Sequence, residues 1–170
     1  MLKKILIVSL ASVALLAFAQ TPGPRSHGQG LARKEGQNFS ANFRYEVAKV
    51  QTEQGWQVRG RFRIAFPAGQ DRPGNVFEMR PDELGVNSIN ANFAGNATRV
   101  VQTANGNQTI QGRLAVRAED RRNPQNTNGP RDRITIRFVP ANNQGQVFEW
   151  QGLVVEGNLV VLAGGSGGGN

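Results

Sequence analysis

Arginine is the residue type most able to do chemistry in this chain. Arg59, Arg61 and Arg63 recur at every second position, a spacing that sets three guanidiniums on one side of a β-strand at intervals of about 6.6–7 Å. Arg113 and Arg117, then Arg133 and Arg137, take the same parity in two later segments joined by one loop. If those segments pair, their four guanidiniums form a compact patch. Guanidinium presents planar, bidentate donors that match carboxylate, sulfate or phosphate. The seven arginines therefore predict a surface that docks an acidic envelope polymer or another cell-surface protein. Nucleic acid fits less well. Single-strand binders interleave stacking aromatics with basic groups on one face, whereas Trp56, Phe62, Phe66 and Phe138 alternate to the side opposite the arginines. The competing reading is a solvated face whose arginine stems cover apolar neighbours.

Other chemistry is sparsely supplied. Glu119, Asp120 and Asp132 bracket an asparagine-rich loop, and they are the oxygen ligands a calcium ion would use. The loop lacks EF-hand or nonapeptide spacing, and its own arginines would repel a cation and pair with these carboxylates, so no metal site is expected. The single histidine, His27, lies in a Pro- and Gly-rich stretch, where a general base could not be held in place. Ser40 and Ser88 are the only serines in the predicted folded region. Among Glu46, Glu78, Asp82, Glu83, Glu149 and Glu156 no spacing selects the two carboxylates that glycoside hydrolysis requires. A non-catalytic protein without a cofactor is expected, with a glycan-active hydrolase as the remote alternative. The absence of cysteine excludes disulfides, thiolate metal sites and haem attachment. One histidine cannot build a His-rich copper or zinc site.

The elements that must position the arginines are strands. Trp56, Val58, Gly60, Phe62, Ile64 and Phe66 alternate with Gln57, Arg59, Arg61, Arg63 and Ala65, which is period-two amphipathicity. Phe39–Val47, Ile110–Val116 and Arg133–Phe138 repeat it, and shorter candidates are Asn75–Arg80, Asn87–Phe93, Ala97–Thr103, Gln146–Leu153 and Asn158–Leu162. Turn chemistry separates them at Glu53–Gly55, Ala104–Asn107, Asn142–Gly145 and Glu156–Asn158. Pro81–Leu84 offers one helical turn at most. The prediction is an all-β fold, an antiparallel sandwich or small closed barrel of about nine short strands. A membrane barrel is disfavoured, because mid-strand arginine would have to face lipid or crowd a narrow lumen.

Within this pattern, Gly60–Ile64, Ile89–Ala97, Gln111–Asp120, Asp132–Phe138 and a closing hairpin over Gly152–Leu159 resemble the post-COAP domain family of exported bacterial proteins. The resemblance spans Trp56 to Leu162. It implies an all-β exported module without catalytic residues, often attached to larger surface proteins.

The ends set the compartment. Residues 1–19 have a basic start at Lys3 and Lys4, an apolar run over Ile5–Leu16 and a small-x-small site at Ala17-Phe18-Ala19, which is the grammar of a cleaved signal peptide. The run is shorter than a spanning helix requires, so no transmembrane segment is expected after cleavage. Removing both lysines lowers the net charge from +8 to +6. Residues 20–38 read as a flexible leader, 39–162 as the all-β domain and 163–170 as a Gly-rich flexible tail. The expected location is the periplasm, the cell envelope or the extracellular medium. The expected role is a binding or accessory module, the alternative being a structural subunit that uses edge strands and apolar patches.

Overall fold

The computed structural model describes residues 23–122, 129–141 and 145–164. The signal segment 1–19, residues 123–128 of the arginine-bracketed loop, the 142–144 turn and residues 165–170 of the tail lie outside the described residues. Eight antiparallel strands follow one another around a closed barrel: β1 (Arg25–Arg33), β2 (Ala41–Thr52), β3 (Gly55–Phe66), β4 (Gly74–Asn87), β5 (Asn90–Thr103), β6 (Gly106–Glu119), β7 (Arg133–Pro140) and β8 (Phe148–Leu162). β1 pairs with β8 to close the ring.

Alternation explains most of these strands. On β2, Ala41, Phe43, Tyr45 and Val47 are buried while Asn42, Arg44 and Glu46 are exposed. Inward side chains fill the lumen, as expected for eight strands, whose interior is about wide enough for side chains alone. Around the lower half, the end that carries the β2–β3 and β4–β5 turns and the β6–β7 loop (the other connections forming the upper rim), Tyr45 and Phe93 have ring centroids 5.2 Å apart, and Phe62 and Phe93 5.8 Å. Nearer the upper rim Phe66 meets Trp150 at 5.0 Å and Phe77 meets Phe148 at 4.8 Å. Burying each such ring contributes about 1.5–3 kcal/mol. Apolar inside and polar outside is the reverse of a membrane-spanning barrel.

Four sequence expectations change. Residues 25–33, read as leader, form β1, paired on both sides. Its inward positions are Ser26, Gly28, Gly30 and Ala32, too small to register as an apolar face. They are small because the space is taken: a Cβ on Gly28 would stand 2.8 Å from the Tyr45 ring. Asn87–Phe93, from Asn90 onward, and Ala97–Thr103 merge into β5, and the two last candidates merge into β8, so the nine candidates reduce to seven and β1 makes eight. Glu156-Gly157-Asn158 therefore lies inside β8 and makes neither a turn nor a closing hairpin. Pairing with β1 shifts register beside it, and Gly157 packs so closely that a Cβ would lie 2.1 Å from the Gln29 carbonyl oxygen. Pro81–Leu84 is a β-bulge in β4, with no helical turn.

One seam of the barrel is incomplete. β2 pairs with β3 along nearly its whole length, but β3 meets β4 only over Phe62–Phe66. The next pair would set Arg61 against Arg80 and Gly60 against Pro81. Like charges directly opposite are destabilising and proline has no N–H for the ladder, so the hydrogen-bond ladder ends there while the two strands remain neighbours in the ring.

Candidate polyanion-binding surface

The seven arginines singled out by spacing all stand on the outer face: Arg59, Arg61, Arg63, Arg113, Arg117 and Arg137 are exposed and Arg133 is partly so. β6 and β7 do pair, with Arg117 opposite Thr135 and Glu119 opposite Arg133. Their four guanidiniums are not free, however. Arg113 makes a bidentate pair with Asp82 at 2.9 and 3.2 Å and reaches Glu83 at 2.6 Å. The Asp82 hydrogen bond, with the charges of Asp82 and Glu83, holds its pKa above the ordinary value. The bulge supplies this arrangement, since shifting register at Pro81/Glu83 turns two consecutive carboxylates outward. Arg137 pairs with Glu149 at 2.7 Å. Arg117 binds Glu119 at 2.8 Å, and Arg133 lies 3.8 Å from the same carboxylate. Arg63 pairs with Glu78 at 3.2 Å. The compact patch on β6 and β7 is thus neutralised from within by ion pairs, all of them between strands except Arg117–Glu119 within β6.

What remains is on the other side of the barrel. Among the described residues Arg59 and Arg61 make no ion pair, and neither do Arg44 on β2 or Arg80 on β4. A groove of about 1810 Å³ crosses these strands, lined by His27, Arg44, Glu46, Arg61, Arg63 and Arg80 among others. Arg44 and Arg80 were missed because each stands alone in its strand, without the repeat that marked β3. Register brings them in: Arg44 lies opposite Arg63, and Arg80 follows Met79, which faces Phe62.

A further cation was hidden by its parity. Arg99 on β5 lies opposite Phe77 and Ile110, both buried, so its side chain points inward near the upper rim. Its guanidinium lies 5.0 Å from the Phe148 ring centroid and 5.6 Å from that of Phe77, and Nε donates to Asn75 Oδ1 at 2.8 Å. Burial lowers its pKa. Counting alternate residues from Phe93 would have found it.

The lower rim holds the carboxylates considered for calcium. Asp132, 2% exposed, accepts hydrogen bonds through Oδ1 from the Arg121 and Arg122 amides at 2.9 and 2.8 Å. Asp120 Oδ2 accepts from the Val161 amide at 3.1 Å. Glu119 is enclosed by Arg117, Arg121 and Arg133. These contacts fasten the loop to β8, and among the described residues no three candidate ligands gather around one point. Nearby, Tyr45 shares a 3.0 Å hydrogen bond with Ser26, whose hydroxyl also donates to the Val160 carbonyl. Burial raises the Tyr45 pKa, opposed by the Ser26 bond and reinforced by the charges of Asp120 and Asp132.

The residues weighed for catalysis are dispersed. His27 is exposed on β1, while Ser40 accepts from Arg33 Nε. Glu78, Asp82, Glu83 and Glu149 are exposed carboxylates tied to guanidiniums. Trp56, expected in the core, is 56% exposed, because it stands at the tip of the β2–β3 hairpin, as the second residue of β3. Phe62, Phe66 and Phe138 are buried, as their alternation predicts. Comparison with protein-family models, curated proteins and solved structures finds no match to this chain.

Proposed function

We propose that this protein is an exported, non-catalytic binding module that docks an acidic polymer or an acidic partner protein through the groove over β2, β3 and β4. The observation that carries the reading is the set Arg44, Arg61 and Arg80, which line one groove without ion pairs. Arg59 extends the set along β3. A carboxylate chain entering there meets guanidiniums whose donors are not already committed to the protein's own acids. Export rests on the basic start, apolar run and small-x-small site of residues 1–19.

The test compares two sets of substitutions on immobilised polygalacturonate at low ionic strength. The set Arg44→Gln, Arg59→Gln, Arg61→Gln and Arg80→Gln is expected to abolish retention with the unfolding transition preserved. The set Arg113→Gln, Arg117→Gln, Arg133→Gln and Arg137→Gln is expected to retain most of it, because those guanidiniums already serve Asp82, Glu83, Glu119 and Glu149. Equal losses from the two sets would reduce the effect to net charge and remove the groove from the account.

A further inference from the structure

We propose that the lower rim of the barrel docks on the surface of a bilayer rich in anionic phospholipid, with Trp56 and Ile89 seated among the headgroups. Trp56 stands at the tip of the β2–β3 hairpin and Ile89 in the turn between β4 and β5. β3 and β4 are neighbours in the ring, so the two tips project from one side of this end, and both side chains are exposed. Val58 and Val86, half-buried, continue the apolar surface from these tips to the core. Both hairpins are held in place. The Ile89 carbonyl accepts from the Asp120 amide at 2.8 Å, and the Lys49 amide of the β2–β3 hairpin donates to the Pro24 carbonyl at 2.9 Å. An exposed indole and an exposed aliphatic side chain on fixed tips suit the membrane interface, where tryptophan sits at headgroup level.

Charge at this end matches an anionic surface. Arg25 on β1, Lys49 on β2, Arg59 on β3, and Arg122 and Arg131 of the β6–β7 loop make no ion pair among the described residues. The neighbouring acids are mostly occupied. Asp120 and Asp132 accept from backbone amides, and Glu119 is enclosed by three arginines, which leaves Glu53 in the β2–β3 turn exposed. At the upper rim Glu35 accompanies Lys34 and Asp71 accompanies Arg72, and no aromatic is exposed among the described residues. Long basic side chains lay their stems along an apolar surface while their heads reach lipid phosphates. The chain also arrives from the lower end: Gly23 lies so close to the Trp56 ring that a Cβ would stand 2.7 Å from it. In the export reading, on which this step rests, the apolar run Ile5–Leu16 occupies the bilayer until cleavage. Residues 17–22 reach at most about 20 Å, so the barrel is delivered with its lower rim against the membrane. A second copy seated rim to rim would oppose the same unpaired cations, which is costly.

All eight strands lie within Arg25–Leu162, so the experiment uses the processed protein beginning at Gln20. It is mixed with vesicles of phosphatidylglycerol or of phosphatidylcholine at low ionic strength. Cosedimentation is one readout, and quenching of tryptophan emission by bromine-labelled acyl chains is the other. The wild type is expected to partition onto phosphatidylglycerol at least about tenfold more strongly than onto phosphatidylcholine, with its emission quenched. The Trp56→Phe protein keeps Trp150, buried near the upper rim, and is expected to bind without quenching. Arg25→Gln with Lys49→Gln and Arg122→Gln should weaken partition about fivefold per charge removed. Trp56→Ser with Ile89→Ser should weaken it at least about tenfold while leaving retention on polygalacturonate unchanged, which separates this site from the groove. Absence of partition onto phosphatidylglycerol, or partition with the wild-type emission unquenched, overturns the docking. Vesicle binding lost on Arg44→Gln, Arg61→Gln and Arg80→Gln but kept in the rim variants moves the contact to the groove and overturns the location. Self-association abolished by Trp56→Ser would assign the rim to a second copy and overturn the membrane proposal.

Discussion

Asp120 accepts the Val161 amide hydrogen bond from a position where burial, and secondarily the charge of Asp132, raise its pKa against the lowering effect of that bond. A carboxylate with a raised folded-state pKa favours the fold when protonated. Its contribution is complete below the ordinary value of 3.8 and is lost as pH rises through the folded-state value. Asp120→Asn keeps an acceptor for Val161 without the charge. Urea unfolding from pH 3 to 7 should show the variant at least as stable as wild type at neutral pH, with a flatter profile above 3.8. Coincident profiles would contradict this assignment. Asp132→Ala has the opposite sign, because it removes the charged acceptor of the part-buried Arg121 and Arg122 amide bonds, and should cost about 1.5–3 kcal/mol. The sequence marked both residues as loop brackets but not as fasteners, since the partner of Asp120 lies 41 residues away. Arg99 shows the same limit: its type suggested a surface, whereas its register faces it inward.

At the level of elements, β3 was the most legible, since its Arg/apolar alternation states both its form and its orientation. β1 was the least legible, because a strand whose inward positions are Ser, Gly, Gly and Ala carries no hydrophobic signal. Its place is dictated by neighbours that bring the bulk, Tyr45 on one side and Leu159 on the other. Glycines inside strands read as breaks, yet several mark close backbone approach. Gly60 is the clearest case: with φ +152°, a Cβ there would stand 2.1 Å from the Glu46 carbonyl oxygen. Gly60→Ala must push β2 and β3 apart, which is expected to cost about 1–3 kcal/mol and to lower the urea midpoint. An unchanged midpoint would show that the hairpin can give at this point. The bulge at Pro81–Glu83 was misread for a related reason: proline followed by two acids is also how a helix begins, and only pairing with β5 identifies the register shift.

For the whole molecule, the fold class was written in the period-two pattern, but barrel closure was not, because it depends on β1 pairing with β8 across the length of the chain. The arginine face was legible as a face and not as a set of partners. Ion pairs form across strands, from Arg113 to Asp82 and Glu83 and from Arg137 to Glu149, and they divide the seven expected arginines into committed and free. Exposed pairs of this kind add only about 0.2–1 kcal/mol each to stability, yet they decide where an anion can bind. The central claim, that free guanidiniums in the β2–β4 groove bind an acidic chain, is tested most directly by the slope of log Kd against log salt concentration for polygalacturonate. Four released contacts predict a slope of about 3 for the wild type and a slope near zero for the variant with glutamine at positions 44, 59, 61 and 80. The same slope for both proteins would contradict the account.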